Sequence, residues 1–413
     1  MERVKWYPWL VITLASFLLF YKYLLQVFPS VITDNLMVDF QLSGVGLGNL
    51  AACFFYSYLI AQLFSGYLID RFNFKWIITL SMLISAGGAY LFATSYDVSL
   101  AMLGRMFMGA GAAFATVGYM KTAAVYFPAS RFGFVSGLLT FGVMLGAVFG
   151  EAPLSLFIHE AGWRTAITII SYAGIVIACL FVLLIQSKPK THYFKQIQHT
   201  RIRASDLATM LKNKINWSLA FYSGLAFAPL AVFGGLWGVP FVMRAYQLNQ
   251  TTASFYVSMV YVGFGFGGPV FGYLESRFKN RFLLMNVGLW LSFFTLITLI
   301  YFPVHQGLLL ALTLLFGLGT GAFMLGFSVG KDANPLHIAA TVVAFVNSGD
   351  AICGAISEPF IGKLLDILNP GNPIPSHFNL SAYHIALSVL PVEILVAYYL
   401  LRLIKKQCGQ ILG

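Results

Sequence analysis

Charge is what this 413-residue chain has least of: Asp, Glu, Lys and Arg make up 9% of it against 59% hydrophobic residues, and the 14 acids are outnumbered by 25 Lys and Arg. A soluble domain of this length could not hide so much apolar surface, so a membrane protein is expected. Cysteine is scarce too. Cys53, Cys179, Cys353 and Cys408 are scattered without metal-ligand spacing, which leaves no disulfide framework and no metal site. No Gly-rich loop leads into Lys-Ser or Lys-Thr: Gly263-x-Gly265-x-Gly267-Gly268 sits inside an apolar run and reads as helix-packing glycine, which disfavours an ATP-driven pump. Nor do a nucleophile, a base and an orienting group converge in any readable pattern, so no enzyme and no cofactor are expected.

What is present in quantity is apolar runs of about 20 residues, the length of a bilayer crossing. They fall at 9–31, 46–69, 76–95, 98–121, 132–157 and 166–186, then at 216–243, 252–273, 282–302, 306–330, 338–362 and 381–401. This predicts an all-α polytopic fold of twelve spans: a six-helix bundle over 1–186, a linker over 187–214, and a second bundle with a short tail over 215–413. With the N-terminus inside, the inner loops and tails hold nineteen of the 25 basic residues, seven of them in the linker. The positive-inside rule then puts both termini in the cytoplasm. The net charge of +11 therefore calls for the anionic lipids of the cytoplasmic leaflet, not for nucleic acid. The first run is long and contains Lys22, so it reads as an uncleaved first helix, not as a signal peptide.

The two halves are copies. Gly66-Tyr67-Leu68-Ile69-Asp70-Arg71-Phe72 returns 206 positions later as Gly272-Tyr273-Leu274-Glu275-Ser276-Arg277-Phe278. Gly109-Ala110-Gly111 matches Gly319-Thr320-Gly321, and Lys121 matches Lys331, both at 210. Pro128 matches Pro335, and Glu151 matches Glu358, both at 207. Tandem halves of one topology place a substrate site between them near the bilayer midplane. Gly-x-x-x-Asp-Arg between two apolar helices resembles the signature loop of the major facilitator superfamily, and Arg105-x-x-x-Gly109-x-Gly111-Ala112-Ala113 looks like that superfamily's second motif. The resemblance covers nearly the whole chain.

It implies a gate on the cytoplasmic side built on Gly66, Asp70, Arg71, Lys75 and Arg277. Because Ser276 replaces Asp70 in the second copy, that copy's latch is expected to be degenerate. It ties Arg105 to substrate or proton coupling and makes Gly109, Gly111, Gly142, Gly146 and Gly150 helix-packing positions, the last three on a fifth helix where the halves pack and slide. The Ala152-Pro153-Leu154 ending of that helix looks like bacterial nutrient-uptake members. Helices three, six, nine and twelve are implied to be scaffold, and Glu393 in the twelfth run is the exception to their lack of charge. The remaining candidates follow from cost, since a charge inside a span needs a partner or water. Lys22 and Asp350 fall near the middle of runs one and eleven, and Glu151 and Glu358 nearer one end. Either Lys22 and Asp350 are a structural pair, or Lys22 holds a substrate's negative charge while Asp350 takes the coupling proton or meets a substrate amine. Glu151 is either a coupling carboxylate or one that reaches the outer water.

The expected function is secondary active transport by alternating access: proton-coupled symport of a small charged metabolite (organic anion, amino acid or short peptide) by a monomer in the cell inner membrane. The alternatives are a proton-driven exporter of drugs or siderophores and a transporter-like sensor. The orientation is checked by cysteine labelling from outside: cysteines placed at Asp97 or Gln306 are expected to react, and those at Asn73 or Gln198 are not. The reverse pattern would overturn the topology.

Overall fold

With no water in the hydrocarbon to bond a free amide, a spanning chain must close its own backbone hydrogen bonds. Among the described residues all regular structure is helical. The computed structural model describes residues 6–128, 131, 135, 138–185, 204–335, 338–370 and 374–412, without the side chains of 70, 204–207, 339–340 and 409–412. Most of the predicted linker, and the Asp70 side chain, lie outside these.

The chain divides into two compact units, Met1–Phe28 with Cys53–His199, and Pro29–Ala52 with Thr200–Gly413. The first half contributes α1 (Tyr7–Val27), a 3-10 turn (Phe28–Ile32), α2 (Thr33–Asp39), α3 (Gly44–Arg71), α4 (Phe74–Thr94), α5 (Val98–Tyr126), α6 (Leu139–Phe149), α7 (Ala152–Ala161) and α8 (Trp163–Leu184). After α9 (Ala204–Lys212) come α10 (Lys214–Val232), a π turn (Phe233–Trp237), α11 (Gly238–Tyr246), α12 (Gln250–Phe278), α13 (Arg281–Tyr301) and α14 (Gln306–Thr320). A 3-10 turn (Gly321–Met324), α15 (Leu325–Asp332), α16 (Ala339–Leu368), α17 (Leu380–Leu387) and α18 (Val389–Leu412) complete it. Eleven described helical stretches are long and apolar enough to cross a membrane. The 30-residue α16, which carries Asp350, Glu358, Lys363 and Asp366, brings the long helical segments to twelve.

Glycine sets the packing in both units. A Cβ on Gly109 of α5 would lie 2.0 Å from the Phe54 carbonyl oxygen of α3, and one on Gly111 would lie 2.2 Å from the Ser81 oxygen of α4. In the second unit Gly317 of α14 meets the Val260 oxygen of α12 at 1.8 Å, and Gly319 meets Gly288 and Ser292 of α13. The same serine bridges the same crossing in each: Ser85 Oγ donates to the Met108 carbonyl at 3.1 Å, and Ser292 Oγ to that of Phe316 at 3.3 Å. These contacts correct the repeat register. Gly109 and Gly111 correspond to Gly317 and Gly319, not to Gly319 and Gly321. The offset grows by one residue per helix, from 206 at α3 to 208 at α5.

Gly142, Gly146 and Gly150 form one face, as expected, but that face is filled by α1 of the same unit. Their Cβ positions would lie 3.1 Å from the Ser16 oxygen, 2.2 Å from the Phe20 oxygen and 2.6 Å from Val27 Cγ2. The glycines of Gly263–Gly268 are helix-packing ones, as read from the sequence: α12 continues as helix through Pro269 and sets Gly263 and Gly267 against α14. The breaks fall elsewhere, at Phe28–Ile32, at Gly150–Glu151, at the π turn after Pro229, and at Gly321–Met324.

Gly66, by contrast, has nothing within 4 Å of where a Cβ would sit. Gly146→Ala is therefore expected to destabilise the purified protein by about 1–3 kcal/mol of overpacking, while Gly66→Ala leaves it unchanged or slightly firmer. Thermal unfolding in detergent checks this pair, and equal effects would contradict the contact map.

Candidate functional site

In the first unit two cations are buried on helices distant in sequence. Lys22 of α1 is 6% exposed and Arg105 of α5 is 1% exposed. Arg105 Nη1 donates to the Leu25 carbonyl at 2.6 Å. That carbonyl is available for a definite reason: its helical partner would be the amide of residue 29, which is Pro29 and has none. The proline also turns the end of α1 into the 3-10 segment. The guanidinium then lies over the rings of Phe28 and Phe54, at 5.2 and 5.1 Å. Lys22 Nζ donates to the Tyr58 hydroxyl at 3.0 Å and sits over the Tyr58 and Tyr23 rings at 4.4 and 4.8 Å.

Phe54 and Tyr58, one turn apart on α3, stack at 6.2 Å with an 11° tilt. A pair of parallel rings therefore links the two cations. Gly109, one turn along α5 from Arg105, admits α3 closely enough for Phe54 to cover the guanidinium. Beside Lys22 is a cavity of about 10 Å³, lined by Tyr21, Ser81, Ser85 and Gly111 among others, enough for one water. Glu151 stands where α6 gives way to α7, with φ −108° and ψ −99°, and is 0% exposed. The reading in which it reaches the outer water is therefore wrong. Pro153 in the first turn of α7 and the glycine face on α1 fold the break inward.

In the second unit Asp350 of α16 accepts from Ser223 Oγ of α10 at 2.6 Å. Backbone contact makes that reach possible, since a Cβ on Gly349 would lie 1.9 Å from the Ala220 oxygen and one on Gly224 would lie 2.4 Å from the Gly349 oxygen. Glu358 is 2% exposed. Its carbonyl accepts from Trp237 Nε1 at 3.2 Å, and its Oε1 lies, with the Tyr261 hydroxyl, 3.9 Å from where a Cβ on Gly235 would sit. Single π turns of this kind recur at functional sites. Lys22 and Asp350 thus belong to different units, each with a partner of its own. Tyr58, Ser223 and Tyr261 were not anticipated, because an uncharged polar residue in an apolar run carries no cost signal. Glu393 was noted only as an exception, and its buried carboxylate accepts from Ser357 Oγ.

Arg71 and Arg277 are exposed, and Lys75 lies 5.9 Å over the Trp76 ring. The second copy carries an ion-pair chain of its own: Glu275 pairs with Arg281 at 2.5 Å, and Arg281 with Asp332 at 2.8 Å. The carboxylate has moved one residue and taken a different arginine. At the opposite end of these helices, within the second unit, Asp366 accepts from the amides of Gly44 and Val45 at 2.5 and 2.8 Å. It thereby caps the start of α3 from α16. Asp34 accepts from Ser376 through both the amide, at 3.1 Å, and the hydroxyl.

A sequence profile of the Major Facilitator Superfamily matches residues 10–357. Probable galactarate/D-glucarate transporter GudP of Bacillus subtilis (strain 168) is 23% identical over 383 residues, 82% of this chain and 81% of that protein. Quinolone resistance protein NorA of Staphylococcus aureus (strain MRSA252) is 26% identical over 279 residues, 65% of this chain and 67% of its own. Among solved structures, a bacterial homolog of the human lysosomal transporter Spinster, inward-facing and occupied, superposes with a TM-score of 0.83 at 17% identity over 98% of both chains. The nucleoside transporter NupG does so with 0.72 at 15% identity, over 95% of this chain and 99% of its own.

Proposed function

The chain belongs to the major facilitator superfamily, a family of multi-pass membrane transporters, and from that premise we propose that it is a proton-coupled importer of a small organic anion. The observation that carries this reading is the Lys22–Tyr58/Phe54–Arg105 assembly: two cations inside a spanning bundle, each costly there, joined by aromatic rings. Amino acids or short peptides with a carboxylate fit the same cations. Both sugar acids in the name of the Bacillus relative are dicarboxylates, which makes D-glucarate and galactarate the first substrates to test.

In this reading Lys22 and Arg105 meet the substrate's negative charge. Asp350 carries the coupling proton, while Glu151 and Glu358 line the route. Asp70, Arg71 and Lys75 are the cytoplasmic gate of the first half, the Glu275–Arg281–Asp332 chain marks the corresponding loop of the second, and Asp366 holds the outer end of α3. Both termini face the cytoplasm, the membrane is the cell's inner one, and a monomer works without a cofactor, driven by the proton gradient. NorA's similarity favours a second reading, export of a drug. An exporter of cations is poorly served by Lys22 on the first span.

Proteoliposomes with an imposed proton gradient decide between these. Wild-type protein is expected to accumulate labelled D-glucarate or galactarate. Lys22→Gln should raise the half-saturating concentration roughly 10- to 100-fold, the worth of one charge-assisted hydrogen bond, with little loss of stability. Asp350→Asn should still exchange substrate between two loaded sides but lose accumulation. Transport of an amine instead, or accumulation indifferent to the proton gradient, would refute the reading.

A further inference from the structure

One buried acid has no part in the scheme above. Glu393 of α18 is 8% exposed, inside an apolar spanning stretch. Its Oε1 accepts from Ser357 Oγ of α16, and its Oε2 is buried with no hydrogen-bond partner. Among the described residues no basic side chain forms an ion pair with it. Among the described residues no acid or base of α10, α13 or α17, the helices packed on α18, is hydrogen-bonded or ion-paired to this carboxyl.

Asp350, Cys353 and Ser357 recur at i, i+3 and i+7, on one face of α16 and about 10 Å from first to last. Two carboxyls, each bonded to a serine hydroxyl, therefore stand at the two ends of one helix stripe. If Glu393 served only to strap α18 to α16 through Ser357, a glutamine would do as well: it has the same shape, keeps an acceptor oxygen, and brings no charge out of water. What glutamate adds is the ability to exchange a proton.

We propose that Glu393 is a second proton-carrying carboxyl of the C-terminal half, working alongside Asp350. Uptake breaks an O–H bond of a hydronium ion, leaving water, and forms an O–H bond at Oε2, while Oε1 keeps the hydrogen bond from Ser357. On release that O–H bond breaks, its electron pair stays on the carboxylate, and the proton returns to water. The role in transport rests on the proton-coupled reading above, but the protonation itself does not.

Infrared pH titration of the purified full-length protein in detergent, which needs no substrate, tests the protonation. Wild type should show a titrating protonated-carboxyl absorption, and Glu393→Gln should lose one carboxyl's share of it. Glu393→Asp should retain it at a shifted pH, and Ser357→Ala should shift the titration without abolishing it. Superimposable wild-type and Glu393→Gln titrations would overturn the proposal. In proteoliposomes Glu393→Gln should keep D-glucarate exchange while gradient-driven accumulation falls at least tenfold. A variant that accumulates like wild type would overturn the shared role with Asp350. Wild type that fails to accumulate would count against the transport reading alone, and the infrared result would still decide the protonation.

Discussion

A single missing amide organises the first unit. Helices in a bilayer satisfy their own carbonyls, and Pro29 withdraws the partner of Leu25. Arg105 supplies the replacement and is thereby fixed under α1 at 2.6 Å, with Phe28 and Phe54 on its faces. Replacing a backbone donor with a guanidinium turns a local defect into a permanent positive charge inside the bundle. Lys22 adds a second through Tyr58. The glycines are the condition for this arrangement, because Phe54 reaches Arg105 only where Gly109 lets α3 and α5 touch backbone to backbone.

The second unit answers with carboxylates in place of cations, using the same architecture. Glycine crossings hold α10 against α16 so that Ser223 reaches Asp350, and the π turn after Pro229 brings Trp237 to Glu358. The recurrence of one serine bridge, Ser85 to Met108 and Ser292 to Phe316, puts the internal repeat on physical ground. The bundles share a frame, the first enclosing Lys22, Arg105 and Glu151 and the second Asp350, Glu358 and Glu393.

The fold was legible because its signal is thermodynamic: apolar runs long enough to cross a bilayer, and a repeated basic turn. Charges inside those runs were legible for the same reason, and Lys22, Arg105, Asp350 and Glu358 are all buried as their cost implied. Residues whose importance lies in geometry were harder to find. The string Gly-Ala-Gly matches Gly-Thr-Gly in letters, but the contacts select Gly317 and Gly319. Glycines on α6 face α1, a partner that composition cannot name. Glu275 was visible one residue before the place of Asp70, but its partner was not, because a helix end offers a carboxylate more than one arginine. Pro29 was the missed clue, since a proline late in a span always frees a carbonyl four residues earlier.

The central claim is that the two cations of the first unit are kept for an anion. A ligand that binds only the folded state raises apparent stability, by about 2.7 kcal/mol at a hundredfold excess over its dissociation constant. Thermal unfolding of the purified protein with sugar acids, other carboxylates and amines therefore reads the claim directly. The account predicts that a carboxylate stabilises wild type and that Lys22→Gln, itself folded, abolishes the shift. Stabilisation by amines, or an anion-induced shift that survives Lys22→Gln undiminished, would contradict it.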